Sequence, residues 1–265
     1  MPPKLRLLAR RVYYLPNEIF GKRSELEPPK GKIFIGSGDF IAQGKHQVDL
    51  LKRHAGIASN HALLDIGCGI GRTAVALVDY LDNGSYEGFD VMSENINWCQ
   101  KNISSKYPHF QFQYTPLNND LYNSVKSKAS DFTFPYADER FNRSFLFSVF
   151  THMQKDEVQH YLKEIARTLK DNGKCLSTFF IYSDDNESII ANPKRAFSFP
   201  FQIEDYRLMD AKTKAANTAF HIKSLQEMAE NAGLKVEKMI PGFWTDNSLK
   251  NEANSFQDII VFQKG

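Results

Sequence analysis

The chain has 265 residues, of which 42% are hydrophobic and 24% charged, proportions typical of a globular protein and not of a disordered one. Its formal net charge of +2 gives no support to a polyanionic partner, so no nucleic acid is expected. The three cysteines, Cys68, Cys99 and Cys175, form no CxxC pair, which argues against a disulfide framework and a thiolate zinc site. No apolar run reaches membrane-spanning length and no signal-peptide core is present, so we expect a cytoplasmic protein without stable membrane insertion.

Positive charge is concentrated in the first part of the chain. Residues 1–33 hold eight Lys/Arg and three Glu, a net charge of +5. Residues 4–15 mix Leu, Val and Tyr with four cations, which predicts a short amphipathic helix packed on the domain with its cations in water, in preference to a helix on a membrane surface. Residues 24–33 predict an extended linker. We interpret residues 1–55 as a basic N-terminal segment and lid-like cap.

A regular alternation of strands and helices begins at residue 62. Compact apolar runs predict seven strands, at residues 62–67, 86–91, 110–115, 141–150, 174–182, 234–240 and 257–264. Apolar residues at helical spacing predict helices at 71–81, 93–103, 157–170 and 221–233. This order indicates an α/β fold with a mainly parallel sheet and helices on both faces.

Residues 183–220 interrupt the alternation. The stretch is polar, and its aromatic residues are Phe197, Phe199, Phe201 and Tyr206. We interpret it as an insertion that serves as a substrate cap. On this interpretation residues 56–182 form a ligand-binding core, and residues 221–265 supply a final helix and two strands that complete the same domain.

The strongest functional signal is the sequence LLDIGCGIGRTA at residues 63–74. Gly67 and Gly69 follow a predicted strand and allow a sharp turn with close backbone approach to a ligand, while the helix behind them offers free N–H groups. Asp90 ends the next predicted strand, where a carboxylate can accept both ribose hydroxyls of an adenosine-containing ligand. The pattern therefore predicts a nucleoside site at this edge of the sheet.

Two residues distinguish between the ligands that use this geometry. A dinucleotide site prefers a third glycine where this chain has Arg72, and Asp65 lies unfavourably beside a pyrophosphate. Asp65 suits a ligand with an ammonium group, such as the methionine part of S-adenosyl-L-methionine (SAM). A nicotinamide-dependent oxidoreductase is therefore the weaker alternative.

Four stretches of this sequence resemble class I SAM-dependent methyltransferases. They are DIGCGIG, GFD, FPYADERFNRSFLFSVFTHM (134–153) and ARTLKDNGKCLSTFF (166–180). The resemblance implies a Rossmann-like, seven-stranded sheet with an antiparallel last strand, SAM as cofactor, and methyltransferase activity of the EC 2.1.1 type.

The resemblance also implies which residues lie against the cofactor. The first motif would contact the methionine portion, the second the ribose and adenine, and the end of the fourth strand would lie beneath the sulfonium. The family usually has an Asp near the adenine where this chain has Leu117 and Asn118, which would cover the ring and replace the carboxylate. The full cofactor set is Asp65, Gly67, Cys68, Gly69, Asp90, Val91, Leu117, Asn118, Phe147 and Ser148.

His152, just past the fourth predicted strand, is the best-placed general base. A histidine at this position in the family often only caps the following helix, and we favour that interpretation, with catalysis by positioning and desolvation. The other histidines have no metal-ligand spacing, so no metal site is predicted.

The acceptor is expected to be a small molecule with an O, N or C nucleophile. The aromatic insertion suggests a sugar-containing or aromatic compound, on composition alone. A nucleic-acid methyltransferase would be expected to show an Asn-Pro-Pro-Tyr-like run after the fourth strand, and this chain has FLFSVFTHM there. A non-catalytic SAM-binding protein that kept the fold is the remaining alternative.

Overall fold

Apolar strands and amphipathic helices alternate through the computed structural model, which describes residues 9–10, 12–16, 23–33, 38–117, 129–213, 215–251, 253 and 255–265. The main helices are α1 (Phe40–Leu50, continued by a π-helical turn at Leu51–Ala55), α2 (Arg72–Leu77), α3 (Ser93–Cys99, continued by Gln100–Ser104), α4 (Lys155–Thr168), α5 (Glu187–Ile190) and α6 (Ile222–Asn231). The strands are β1 (Ala62–Ile66), β2 (Ser85–Asp90), β3 (Phe110–Tyr114), β4 (Phe141–Leu146), β5 (Leu169–Phe179), β6 (Ile181–Tyr182), β7 (Phe201–Ile203), β8 (Tyr206–Leu208), β9 (Thr218–His221), β10 (Leu234–Ile240) and β11 (Asp258–Lys264).

Seven of these strands form one sheet in the order β10-β11-β5-β4-β1-β2-β3. Pairing is parallel from β5 through to β3, and β11 runs antiparallel to both β5 and β10. The Rossmann-like sheet with an antiparallel last strand is therefore confirmed. Strand order reverses between β1 and β4, and in open α/β sheets ligands bind outside the carboxyl ends of the strands at such a point.

Side chains alternate between the two faces of the sheet, and each face has its own apolar core. Leu63 packs against α1, α2 and α3, whereas its neighbour Leu64 packs on the other face against α4 and α6. Helix α4 buries Val158, Leu162 and Ile165 on one side, the spacing of a single helical face. Because both faces are covered, buried apolar residues of the central strands lie on both sides of the sheet.

The fourth strand is shorter than predicted. It ends at Leu146 instead of residue 150, and Ser148 adopts a positive φ of 57°. Phe150 then begins a 3₁₀ turn in which it is fully buried. The run of apolar residues beyond Leu146 is therefore a buried turn at the strand end, which periodicity alone does not separate from a strand.

The boundary between α4 and β5 also differs from the prediction. Helix α4 ends at Thr168, and Leu169 is already extended, fully buried and paired with Phe141. The predicted turn at Asn172 lies inside the irregular start of β5, where Asn172 has a φ of 58°. Tertiary pairing has extended the strand through the turn-like residues.

Residues 183–220 contribute β7, β8 and most of β9 to a second, four-stranded sheet in the order β6-β9-β8-β7, which we call the inserted sheet. The last residues of the predicted fifth strand belong to it, since β6 pairs with β9 and not with the main sheet. Phe199 and Trp244 pack together in a small separate core, with ring centroids 5.6 Å apart. The side chain of Arg207 is buried there and donates to the carbonyl of Phe199 at 2.7 Å.

In the N-terminal part of the chain, residues 12–16 are helical and Val12 and Tyr13 are exposed. The remainder of the predicted helix at residues 4–15 falls largely outside the described residues. The predicted extended linker contains a 3₁₀ turn at Lys30–Lys32. No helix in the described part of the chain is long and apolar enough to cross a membrane.

Candidate cofactor and active site

A cavity of about 600 Å³ lies at the carboxyl ends of β1, β2 and β4. Every described residue that the sequence assigned to the cofactor lines it, as does His152; Asn118 lies outside the described residues. The assigned residues on its wall are Asp65, Gly67, Cys68, Gly69, Asp90, Val91, Leu117, Phe147 and Ser148.

The glycine loop after β1 is tied to β2 by its backbone. The N–H groups of Gly67 and Cys68 both donate to the carbonyl of Phe89, at 2.9 and 3.0 Å. Gly67 has a φ of 77°, and a Cβ there would lie 2.5 Å from Val149. Packing of the protein alone therefore requires glycine at this position.

Gly69 is different, because the protein leaves open space around it. Its φ is 54°, and a Cβ added there would meet no protein atom within 4 Å. Gly69 lines the cavity, so the missing side chain keeps a stretch of backbone open to a ligand. This arrangement fits close approach of a cofactor to the loop.

The carboxylate of Asp90 organises the loop from the end of β2. One oxygen accepts the N–H of Gly69 at 2.9 Å and the other accepts the N–H of Met92 at 2.8 Å. Burial raises the pKa of Asp90, and these backbone hydrogen bonds oppose the rise. Asp90 thus holds the glycine loop in addition to facing the cavity, a role that its position in the sequence did not predict.

Asp65, the last residue but one of β1, is 3% exposed and accepts a hydrogen bond of 2.6 Å from the hydroxyl of Tyr86. Burial raises the pKa of its carboxyl to about 7. No ion pair is formed by Asp65 or Asp90 within the described ranges of the chain. This end of the cavity therefore suits a cationic group and disfavours a pyrophosphate.

Ser148 connects the end of β4 to the antiparallel strand. Its N–H donates to Thr178 Oγ1 at 2.7 Å, and its hydroxyl donates to Gln257 Oε1 at 2.9 Å. The hydroxyl hydrogen of Ser148 is therefore used in a hydrogen bond within the protein. Trp244 is 3% exposed and lies in the core of the inserted sheet.

His152 is half-buried on the cavity wall, and its Nδ1 lies 2.8 Å from the carbonyl oxygen of Ala215. The expectation that His152 caps the following helix is wrong. The cap of α4 is Gln154, whose N–H donates to Glu157 Oε2 at 2.8 Å, an arrangement that satisfies the helix start without the imidazole. Burial lowers the pKa of His152, which favours the neutral ring.

Several wall residues were missed by the sequence analysis because they come from distant segments. Gln47 of α1 accepts a hydrogen bond from Thr73 at 2.9 Å, and both line the cavity. Arg72 was noted only as a replacement for glycine, yet it also reaches the cavity. Ala215 is contributed by the inserted sheet, between β8 and β9. Only the three-dimensional fold brings these residues together.

The arrangement of possible metal ligands can be stated for the described residues. No group of three or more His, Cys, Asp or Glu there is placed to hold a metal ion. Cys68, Cys99 and Cys175 are free and buried. Burial raises the pKa of the Cys68 thiol well above its usual range, so the thiol stays protonated and acts as a small apolar residue.

Comparison with known proteins agrees with this geometry. Residues 64–177 match the family described as a methyltransferase domain. Methyltransferase GfsG of Streptomyces halstedii is 24% identical over 132 residues, which cover 49% of this chain and 42% of GfsG. The chain spans about half the length of the curated relatives it matches, 57% of one and 42% of the other.

Solved structures share the fold at low sequence identity. The PH0226 protein from Pyrococcus horikoshii OT3 has a TM-score of 0.59 at 14% identity, covering 95% of this chain and 99% of that one. The [4+2]-cyclase SpnF has a TM-score of 0.56 at 13% identity, covering 99% of this chain and 96% of that one.

The matched domain and the sheet topology together agree with the resemblance to class I SAM-dependent methyltransferases, and residues 64–177 carry a methyltransferase domain. The solved structures that share the fold include a SAM-dependent methyltransferase from Methanosarcina mazei, with a TM-score of 0.53 at 19% identity, covering 80% of this chain and 96% of that one. The open backbone at Gly69, and the carboxylates of Asp65 and Asp90 that form no ion pair with the described residues, fit SAM, which carries an ammonium group, a sulfonium and a ribose.

Proposed function

We propose that this chain transfers the methyl group of SAM to an oxygen, nitrogen or carbon nucleophile of a small molecule. The observation that carries the proposal is the convergence of the glycine loop, two carboxylates and an imidazole on one cavity. A volume of about 600 Å³ falls in the range of small-molecule sites. When bound, the cofactor supplies a methyl group already activated by its sulfonium.

The residues of the chain act mainly by holding and enclosing the reactants. On this proposal Asp65 binds the methionine ammonium group, Asp90 accepts the ribose hydroxyls, and Leu117 covers the adenine ring. Asp65 and Leu117 are each less than 5% exposed, so water has little access to this part of the wall. Alignment and exclusion of water are the principal contributions expected for an in-line displacement.

His152 is proposed to accept the proton of a hydroxyl acceptor. A carbonyl oxygen only accepts hydrogen bonds, so the contact with Ala215 requires the hydrogen on Nδ1 of the ring. In the neutral ring the lone pair is then on Nε2, and neutrality at pH 7 is favoured because burial lowers the pKa. These are the protonation state and tautomer that a general base needs.

We expect His152→Ala to lower turnover of a hydroxyl acceptor by ~10²–10⁴-fold with SAM affinity unchanged, the usual range for loss of a general base. Wild-type activity should rise with pH through a pKa below 6.5, the ordinary value from which burial lowers it, and stay high above it. The measurement is a pH–rate profile of both proteins.

The matched control for this experiment is His160→Ala. His160 is also half-buried, and its Nε2 lies 2.8 Å from the carbonyl oxygen of Phe132, but it does not line the cavity. Its removal should leave turnover within about twofold of wild type, as surface-like substitutions away from a site do. Equal turnover in the two variants would show that catalysis relies on positioning and desolvation without a base.

The connection between β8 and β9 of the inserted sheet reaches the cavity wall at Ala215. Ala215 contacts His152, and its neighbours on the wall include Phe147 and Met153, which supports a partly apolar acceptor and a cap role for residues 183–220. The aromatic residues of that segment give no support to an aromatic acceptor, since Phe199 is buried in its own core. Gln47 on the wall supports a cap role for residues 1–55.

The proposed activity is tested with SAM carrying an isotopically labelled methyl group and a panel of hydroxyl, amine and activated-carbon acceptors. We expect SAM to bind with micromolar affinity, about −8 kcal/mol, and label to appear in one acceptor class. Binding of NADH in place of SAM would refute the assignment. Binding of SAM without transfer to any acceptor would favour a non-catalytic protein or another reaction on this fold, as the cyclase among the similar structures illustrates.

A further inference from the structure

Among the residues that the structure describes, one side chain donates a hydrogen bond to the carboxylate of Asp65, and it comes from the neighbouring strand. In the parallel pairing of β1 with β2, Asp65 lies opposite Gly88. A Cβ on Gly88 would lie 3.1 Å from the hydroxyl oxygen of Tyr86 and 2.8 Å from Cys68. The glycine therefore leaves room for the Tyr86 hydroxyl to reach Asp65 at 2.6 Å.

Packing fixes Tyr86 in this position. Its side chain is fully buried. Its ring is stacked on Phe110 at 5.2 Å between centroids and is also surrounded by Phe112 at 5.4 Å and Phe145 at 6.4 Å. Aromatic contacts on several sides leave the ring one position, so the hydroxyl is held at the carboxylate before any ligand arrives.

The electrostatic surroundings of Asp65 otherwise oppose its ionisation. The pKa of Asp65 is raised to about 7 as the net result of three effects: burial raises it, the Tyr86 hydrogen bond lowers it, and the nearby Asp90 raises it. The remaining titratable groups that act on Asp65 are the thiols of Cys68 and Cys99 and the phenol of Tyr136. Burial raises the pKa of each of these three groups, so all are neutral near pH 7.

We propose that Tyr86 is a positioning residue that keeps Asp65 ionised and oriented at the cavity wall, and that it thereby sets the pH range in which the chain binds SAM. The proposal rests on the proposed pairing of Asp65 with the methionine ammonium group. Among the groups acting on Asp65 in the described chain, the Tyr86 hydroxyl is the one that favours the charged form.

The expected pH dependence of SAM binding follows from the ionisation of the Asp65 carboxyl and of the cofactor's amino group. Below the pKa of Asp65 the carboxyl is protonated and loses its attraction for an ammonium ion, so affinity falls by up to about tenfold per pH unit. On the alkaline side the amino group of the cofactor loses its proton, near the α-amino value of about 8. Binding should therefore be bell-shaped with a maximum between these limits.

The experiment is calorimetric titration of SAM between pH 5.5 and 9 for wild type and Tyr86→Phe. Loss of one hydrogen bond to the charged form should move the acid limb up by about one pH unit. The variant should then bind about tenfold more weakly than wild type at pH 6 and almost equally at pH 9, with the alkaline limb unchanged.

Two further variants separate the possible outcomes. Tyr80→Phe also removes a tyrosine hydroxyl that donates a hydrogen bond, in this case to the carbonyl of Ile57 at 2.8 Å. It should leave both limbs of the pH profile of SAM binding in place. Asp65→Asn should remove the acid limb and weaken binding at every pH. A loss in Tyr86→Phe of the same size at all pH values would show a merely structural role and overturn the inference. Absence of SAM binding by wild type at every pH would instead refute the proposed function.

Discussion

Gly69→Val is expected to abolish measurable binding of SAM while the domain still folds. The φ of 54° is unfavourable for a β-branched residue, and strain of this kind costs about 1–3 kcal/mol. The new side chain meets no protein atom near its Cβ, so it occupies the cavity and not the core. We expect SAM affinity to fall by at least roughly 100-fold, more than 2.7 kcal/mol, measured by calorimetry.

Gly233→Val is the matched control, because it carries the same strain away from the cavity. Gly233 has a φ of 75°, a Cβ there would also meet nothing within 4 Å, and it follows α6 without lining the cavity. Both variants should lower the free energy of unfolding by similar amounts, measured by urea denaturation. Equal SAM affinity in both variants would mean that the ligand does not approach the loop at Gly69.

Asp90→Ala is expected to weaken SAM binding by about 2–4 kcal/mol, or roughly 30- to 1000-fold, through loss of two charge-assisted hydrogen bonds. The structure adds a second cause, since the carboxylate also accepts the N–H groups of Gly69 and Met92. Affinity for SAM alone therefore does not separate contact with the ribose from support of the loop.

Fragments of the cofactor separate these two effects. If Asp90 accepts the ribose hydroxyls, the wild type should bind adenosine more tightly than 2′,3′-dideoxyadenosine, and Asp90→Ala should bind the two alike. The readout is competition against SAM. Should the wild type fail to discriminate between the nucleosides, Asp90 would be a support of the glycine loop and not a ribose ligand.

The main sheet was predictable because its signals are local. Strand β1 is a compact apolar run, and β2 and β3 carry aromatic residues among polar ones. Each is followed by a turn or helix signal, and alternation of strand and helix implies parallel pairing. The end of β4 was not predictable, because Phe150 is as apolar as a strand residue but is buried in a turn. The inserted sheet was also not predicted, since β7 and β8 are only three residues long and are stabilised as strands by pairing with each other.

The candidate site was predictable where the chain is continuous with the glycine motif. Gly69 and Asp90 lie at strand ends whose position follows from the sheet. The hydrogen bond between Tyr86 and Asp65, in contrast, depends on strand register and on the missing side chain of Gly88. The contact between His152 and Ala215 joins residues 63 positions apart, and no pattern in the sequence indicates it.

The connection between β8 and β9 reaches the cavity at Ala215, and it has a particular consequence for how acceptor preference can change. A hydrogen bond from the N–H of Met209 to the carbonyl of Asn217 joins the two ends of this connection, and the flanking strands β8 and β9 pair with each other in the inserted sheet. His152 is held by the carbonyl of Ala215, a group that every side chain at that position retains. On the proposed function, side-chain substitutions in this connection are therefore expected to change the acceptor range while the carbonyl that contacts the imidazole is retained.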